Sequence, residues 1–190
     1  MLLSGLLQFS IAWVYGLFFE YVVHRWALHK YGKKRSSIVS FHFHEHHSIA
    51  RRRNMYDESY ITKSWEPNSR TKELLSLFLA ALLHIPVAII FPWAGLAVLL
   101  SIVSYYLQHS KSHKNVEWAR VVLPWHYDHH MGPNQDMNFG VRSDIFDKLF
   151  GTRSKYYGTR QERIDYHRRI GKYARYIFRK KREQEDIYQR

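Results

Sequence analysis

The chain has 190 residues, no cysteine and a formal charge of +13. That length suits one domain with a sizeable core. The lack of cysteine excludes a disulfide framework, a zinc ribbon and a thiolate-bound iron–sulfur centre, leaving imidazole, carboxylate or carbonyl ligands for any metal. The positive charge suits nucleic acid or an anionic membrane surface. Long apolar runs favour the membrane and argue against a nucleic-acid partner.

Residues 2–23 are apolar apart from small hydroxyls, Gln8 and Glu20. As a helix they would reach roughly 33 Å, enough to cross a bilayer. A cleaved signal peptide is the rival, but the stretch has no basic start and no small-residue cleavage site, so a retained span is expected. Residues 30–72 are polar and charged, and residues 74–107 are apolar with His84 as the only strongly polar side chain. Pro86, Pro92 and Gly95 predict a division into two spans, 74–91 and 93–108, with Pro92-Trp93-Ala94-Gly95 as an interfacial turn. His84 reads best as a histidine satisfied by a carbonyl freed near Pro86, with a place beside a substrate cavity as the alternative.

After Lys111 the chain is soluble in character. Ser143-Asp144 can cap a short helix over 145–150 that stops at Gly151. The segment 152–190 is basic and helix-prone, with Tyr166, Ile170, Tyr173, Ile177 and Phe178 as an apolar stripe and His167 solvated. Such a helix suits water or the headgroup layer. Lys30 to Arg35, Arg51 to Arg53, Arg70, Lys72, Lys111 and Lys114 all flank the spans, and the positive-inside rule puts them in the cytoplasm. The first span then ends inside and the other two form a hairpin returning inside. His24 and His109 are thereby delivered to one face of the membrane.

Eleven of the thirteen histidines fall in four clusters: His24 and His29; His42, His44, His46 and His47; His109 and His113; His126, His129 and His130. Residues three or four apart share a helical face. That groups His42 with His46, His109 with His113, and His126 with His129 and His130. His24 and His29 are five apart, so the chain must bend there or the two serve different positions. If the second cluster is helical, His44 lies on the face opposite His46, which favours His42, His46 and His47 as ligands. A histidine pair at a helix end is by itself more often a cap or interfacial feature. Four clusters at the edges of apolar spans are hard to attribute to chance. Neutral imidazoles without thiolates suit iron, copper or zinc, and their number exceeds what one tetrahedral ion uses.

The pattern H-x4-H, H-x-H-x-H-H, H-x3-H and H-x2-H-H, with the closing Asn138-Phe139-Gly140-Val141 and Phe146-Asp147-Lys148-Leu149-Phe150-Gly151-Thr152, resembles the fatty acid hydroxylase/sterol desaturase superfamily. The resemblance runs from about His24 to Thr152. It implies an all-α, integral-membrane helical bundle with a cytoplasmic histidine-rich metal-binding cap. Residues 1–151 would be the catalytic domain and 152–190 a cytoplasmic tail. It also implies two iron ions (zinc as a substitute), O2 as co-substrate and hydroxylation of a long-chain lipid. Electrons would come from an external donor such as a cytochrome or ferredoxin with its reductase.

One departure is Phe43, where many members carry histidine; His42 and His44 flank it, and either can substitute. Glu20, Glu45, Asp128, Asp136 and Asn138 are candidates to orient the imidazoles through their outer N–H. A lipid or sterol desaturase on the same centre, and a non-catalytic membrane metal-binding protein, are the alternative readings.

Overall fold

The computed structural model describes residues 2–62 and 65–171. All regular structure among them is helical. The long first helix, α1 (Leu2–Val22), runs on without interruption into a π-helical stretch, Val23–Tyr31. A second π-helical stretch, His42–His46, leads into α2 (His47–Arg52). Next come α3 (Ser69–Leu83), α4 (Ile85–Ile90), α5 (Pro92–Lys114), α6 (Val116–Val122), α7 (Pro124–Met131) and α8 (Ile145–Leu149). A last helix, α9, occupies 160–171. Of the tail stripe, Tyr173, Ile177 and Phe178 lie outside the described residues, while Tyr166 donates to Glu117 at 3.0 Å.

Sequence and structure differ in the second apolar run. The expected span 74–91 is broken at His84, where the backbone leaves helical geometry (φ −96°, ψ 2°), so α3 ends there and the six-residue α4 begins. Pro86 has no N–H to continue the ladder. The chain reverses at Phe91, not over 92–95: the residue before Pro92 is held extended (φ −129°, ψ 82°), and Pro92 starts α5 at the position where its missing N–H costs nothing. The reversal is tight because Gly95 lies on Ala88, where any Cβ would come within 2.4 Å of the alanine methyl. Helix α5 then continues past the expected end at 108 and carries His109 and His113 in its last turns. Among the described residues, one helix, Ser4–Tyr31, is long and apolar enough to cross a membrane.

Helices α1 and α5 pack along their length and run in the same direction. Gly5 meets Trp93, Gly16 meets Ser101, and Ala12, Ala94, Ala97 and Val98 form a buried seam of small side chains between them. Small residues permit this close approach. The consequence is that His24 and His109, at the C-terminal ends of two parallel helices, arrive at the same end of the molecule. The outer faces stay apolar: Leu6, Ile11 and Val14 of α1, Phe78 and Leu82 of α3, Ile89 of α4, and Leu99 and Val103 of α5 are all exposed.

Candidate metal centre

Nine histidines converge in two adjacent groups, each with one ring nitrogen per residue within 4.8 Å of the others: His24, His29, His42, His47 and His129, and His46, His109, His113 and His130. All nine are buried.

The π-helical stretches explain the groupings. A π-helix bonds i to i+5, so residues five apart come onto one face. His24 with His29, and His42 with His47, are such pairs, and both belong to the first group. The α-helical expectation that His42 and His46 share a face therefore does not hold; they serve different groups. Each His-His tandem is split. His46 and His130 turn to one group and His47 and His129 to the other, with the His47 and His130 ring centroids only 4.5 Å apart.

In the first group the Nε2 atoms crowd together: His24 to His42 at 3.0 Å, His42 to His47 at 3.2 Å, and His129 to both His47 and His29 at 3.1 Å. A carbonyl only accepts, so the contacts of His24 Nδ1 with the Phe139 carbonyl (2.5 Å) and His129 Nδ1 with the Met137 carbonyl (2.7 Å) fix the proton on Nδ1. Their Nε2 atoms are then bare lone pairs. Bare lone pairs about 3 Å apart repel unless a cation lies between them, and ligands bonded at about 2.1 Å to one ion have about this spacing. The second group has the same character. His113 Nδ1 donates to the Met55 carbonyl at 2.8 Å, His109 Nδ1 faces Glu73 at 2.6 Å, and His46 Nδ1 faces Asp57 at 3.5 Å. The Nε2 atoms of His46, His109, His113 and His130 have no hydrogen-bond partner. Buried polar atoms are rarely left so. Both groups fit metal ions.

Electrostatics agree. Burial holds His42, His47, His126 and His130 well below the usual histidine range, and the neighbouring imidazoles push them further down. His129 is lowered to about 4, burial outweighing its carbonyl bond. Burial pushes the Asp57 carboxyl up, but its contacts with His46 and Ser59 prevail and leave it below the carboxylate range. His46, lowered by burial, is thus a neutral ring against a carboxylate. Neutral imidazole is the form that binds metal.

The acceptors behind the rings come mainly from two places. For the first group they lie on one strap, 135–139: Gln135 Oε1 meets His47 Nδ1 at 2.9 Å, Asp136 Oδ1 lies 3.5 Å from His29 Nδ1, and Met137 and Phe139 offer carbonyls. Asp147 secures the strap by accepting the N–H groups of Phe139 and Gly140 and the Thr152 hydroxyl, each at 2.7 Å. Asn138, in the left-handed region at φ 61°, donates to the Ser154 carbonyl and accepts from Arg153 and the Ser154 N–H. Gly140 is required because a Cβ there would come 2.0 Å from the Ser143 carbonyl oxygen. The closing Asn-Phe-Gly and Phe-Asp-x-x-Phe-Gly-Thr segments are therefore one clasp.

Of the carboxylate and amide candidates from sequence, only Asp136 approaches a histidine. Glu20 instead takes the backbone N–H of Val141 and Arg142 and pairs with the Arg142 guanidinium at 2.6 Å. Glu45 pairs with Lys72, and Asp128 with Arg153 and the Tyr157 N–H. Their charges are committed to holding loops. Asp57 and Glu73, which serve the second group, were missed. Glu73 sits in the first turns of an apolar helix, where a carboxylate needs a reason.

His44 stands apart from both groups, as its side chain leaves the opposite face of the π-helix and bonds the Lys33 carbonyl at 2.9 Å. His126 is also outside them, yet fully buried, one turn before His130, with neither ring nitrogen partnered.

A cavity between α1, α3 and α5 opens on both groups. His24, His42, His46 and His109 line one end, and Phe19, Val23, Leu77, Ala80, Val98 and Ile102 line the walls towards His84. It is the kind of apolar slot that suits an alkyl chain.

The sequence model of the fatty acid hydroxylase family matches residues 9–152, more than half of the chain. No curated protein and no solved structure matches it.

Proposed function

Because the chain belongs to the fatty acid hydroxylase family, we propose that it is a membrane-embedded lipid hydroxylase using O2, two irons and externally supplied electrons. The observation that carries this reading is the apolar cavity ending on two histidine groups with converging lone pairs. His24, His29, His42, His47 and His129 would hold one ion and His46, His109, His113 and His130 the other. Bound iron supplies the O2 activation that an unactivated C–H bond needs and no side chain provides.

The chain's own part is positional. The 135–139 strap, the Met55 carbonyl and Glu73 engage the Nδ1 atoms of His24, His47, His129, His113 and His109, which leaves their Nε2 atoms turned inward. Phe19, Val23 and Leu77 exclude water and align an alkyl chain with the histidine end. The basic residues Lys30, Lys33, Lys34, Arg51 and Lys111 each lie within a few residues of a histidine of the two groups along the sequence, which favours a cytoplasmic metal centre. An acidic surface on the electron donor would complement them.

The test is lipid mass spectrometry on cells expressing the wild type beside a His129→Ala/His130→Ala double variant. A product heavier by one oxygen, present only with the wild type, is expected. A product lighter by two hydrogens would make the protein a desaturase. No difference, with the wild type inserted and iron-loaded, would sink the oxygenase reading for cellular lipids.

A further inference from the structure

His84 lies at the far end of the cavity, where a hydrocarbon chain alone would call for apolar walls. Its Nδ1 lies 2.7 Å from the Ala80 carbonyl, and Tyr15 of α1 reaches across so that its hydroxyl is 3.0 Å from Nε2. The Phe19 ring meets the imidazole edge-on at 5.3 Å. Tyr15, Phe19, Ala80 and His84 all line the cavity.

Donor and acceptor roles follow from elementary chemistry. A neutral imidazole has one N–H. The Ala80 carbonyl can only accept, so that proton is on Nδ1. Nε2 must then accept, and Tyr15 donates its one hydroxyl proton to it. This leaves the phenol oxygen with lone pairs and no proton to give: an acceptor at the partly exposed end of a mainly apolar cavity. Polar side chains in such surroundings are costly and usually functional. The Ala80 carbonyl and the Phe19 ring also engage the imidazole.

Resting on the lipid-hydroxylase reading, we propose that the Tyr15–His84 pair is a specificity-determining subsite that selects lipids bearing a hydrogen-bond donor, a hydroxyl or an amide N–H. A carboxylate or an ether offers the Tyr15 oxygen no proton and gains nothing from this pair. Tyr15 precedes His24 by nine residues, so the selected group lies about 13 Å along the helix from the metal end. The pair therefore selects the lipid by a group remote from the reacting carbon and fixes which carbon lies at the histidines.

The experiment uses the full chain, iron-loaded in detergent, with tritiated hexadecane displaced by unlabelled hexadecane, 1-hexadecanol, hexadecyl methyl ether or palmitate. The wild type is expected to bind the alcohol about tenfold more tightly than the alkane or the ether, the gain of one good hydrogen bond. Tyr15→Phe should remove that preference and leave alkane affinity unchanged. Equal binding of alcohol and alkane by the wild type, a preference for the ether or palmitate, or a Tyr15→Phe loss shared by all ligands would each overturn the subsite. The last would make the pair a strut between helices. Failure of the wild type to bind even hexadecane would instead overturn the lipid cavity on which the subsite rests.

Discussion

A neutral imidazole has a single proton to place, and at His24, His129 and His113 the fold decides where it goes. With Nδ1–H committed outward at His24, His129 and His113, the inward lone pairs are destabilising until a cation arrives. Loss of one ring should therefore empty one group and spare its neighbour. Iron content by mass spectrometry is expected to be about two per chain for the wild type and for His44→Ala, and about one for His113→Ala, on the coordination numbers usual for such ions. A drop for His44→Ala would return that residue to the ligand set. The same burial gives the metal-free protein a pH dependence. A histidine whose pKa is about 6.5 when unfolded and lowered to about 4 when folded binds its proton more readily in the unfolded chain. Its stabilising contribution is complete above 6.5 and disappears as the pH falls towards 4. Melting temperatures of the metal-free protein should accordingly fall from pH 7 to pH 5, and a flat profile would contradict neutral burial.

At the scale of elements, two devices shape the site: the π-helical turns that bring i and i+5 histidines together, and the 138–154 clasp. Asp147 receives three donors while fully buried. Asp147→Ala would strand two backbone N–H groups and a hydroxyl, at about 1–3 kcal/mol each if they find no water. Because the strap that Asp147 secures supplies the acceptors of the first group, this variant should lose iron there before the second group, read as a stoichiometry near one under mild chelation. Equal loss from both groups would mean that the clasp supports the whole bundle instead.

For the molecule as a whole, the parallel contact of α1 and α5 sets the alignment. Any side chain at Gly16 would meet the Ser101 hydroxyl at 2.2 Å, so Gly16→Val must push the helices apart. Overpacking of this kind costs about 1–3 kcal/mol. Since His24 and His109 ride on these two helices, iron content should fall in both groups together, unlike the selective losses expected from the clasp. The exposed apolar faces of α1, α3, α4 and α5 far exceed what water tolerates on a monomer. The protein should stay with membranes through alkaline carbonate and be released by detergent; release by carbonate alone would argue against an embedded bundle.

The all-helical class and the family were legible in the sequence, and eleven clustered histidines stood as candidate ligands, of which the fold brings nine together and leaves His44 and His126 outside; hydrophobic runs and histidine spacings are local patterns that survive in one dimension. The sequence also showed the closing segments as motifs though not as one clasp, and the glycine stop after the short helix was expected, where Gly151 adopts φ 69°. What it could not determine is how the histidines divide. Spacing rules assume 3.6 residues per turn, and only the packed helices decide that residues 23–31 and 42–46 widen to π geometry. The acceptors behind the rings were hidden for a related reason. Glu73 and the Phe139 carbonyl lie far along the chain from His109 and His24, Asp57 and the Met137 carbonyl are nearer to His46 and His129 but share no helical register with them, and a backbone carbonyl has no signature in sequence. Tertiary structure likewise broke the second apolar run at His84, since hydropathy measures how apolar a segment is and not whether its proline-interrupted backbone stays straight.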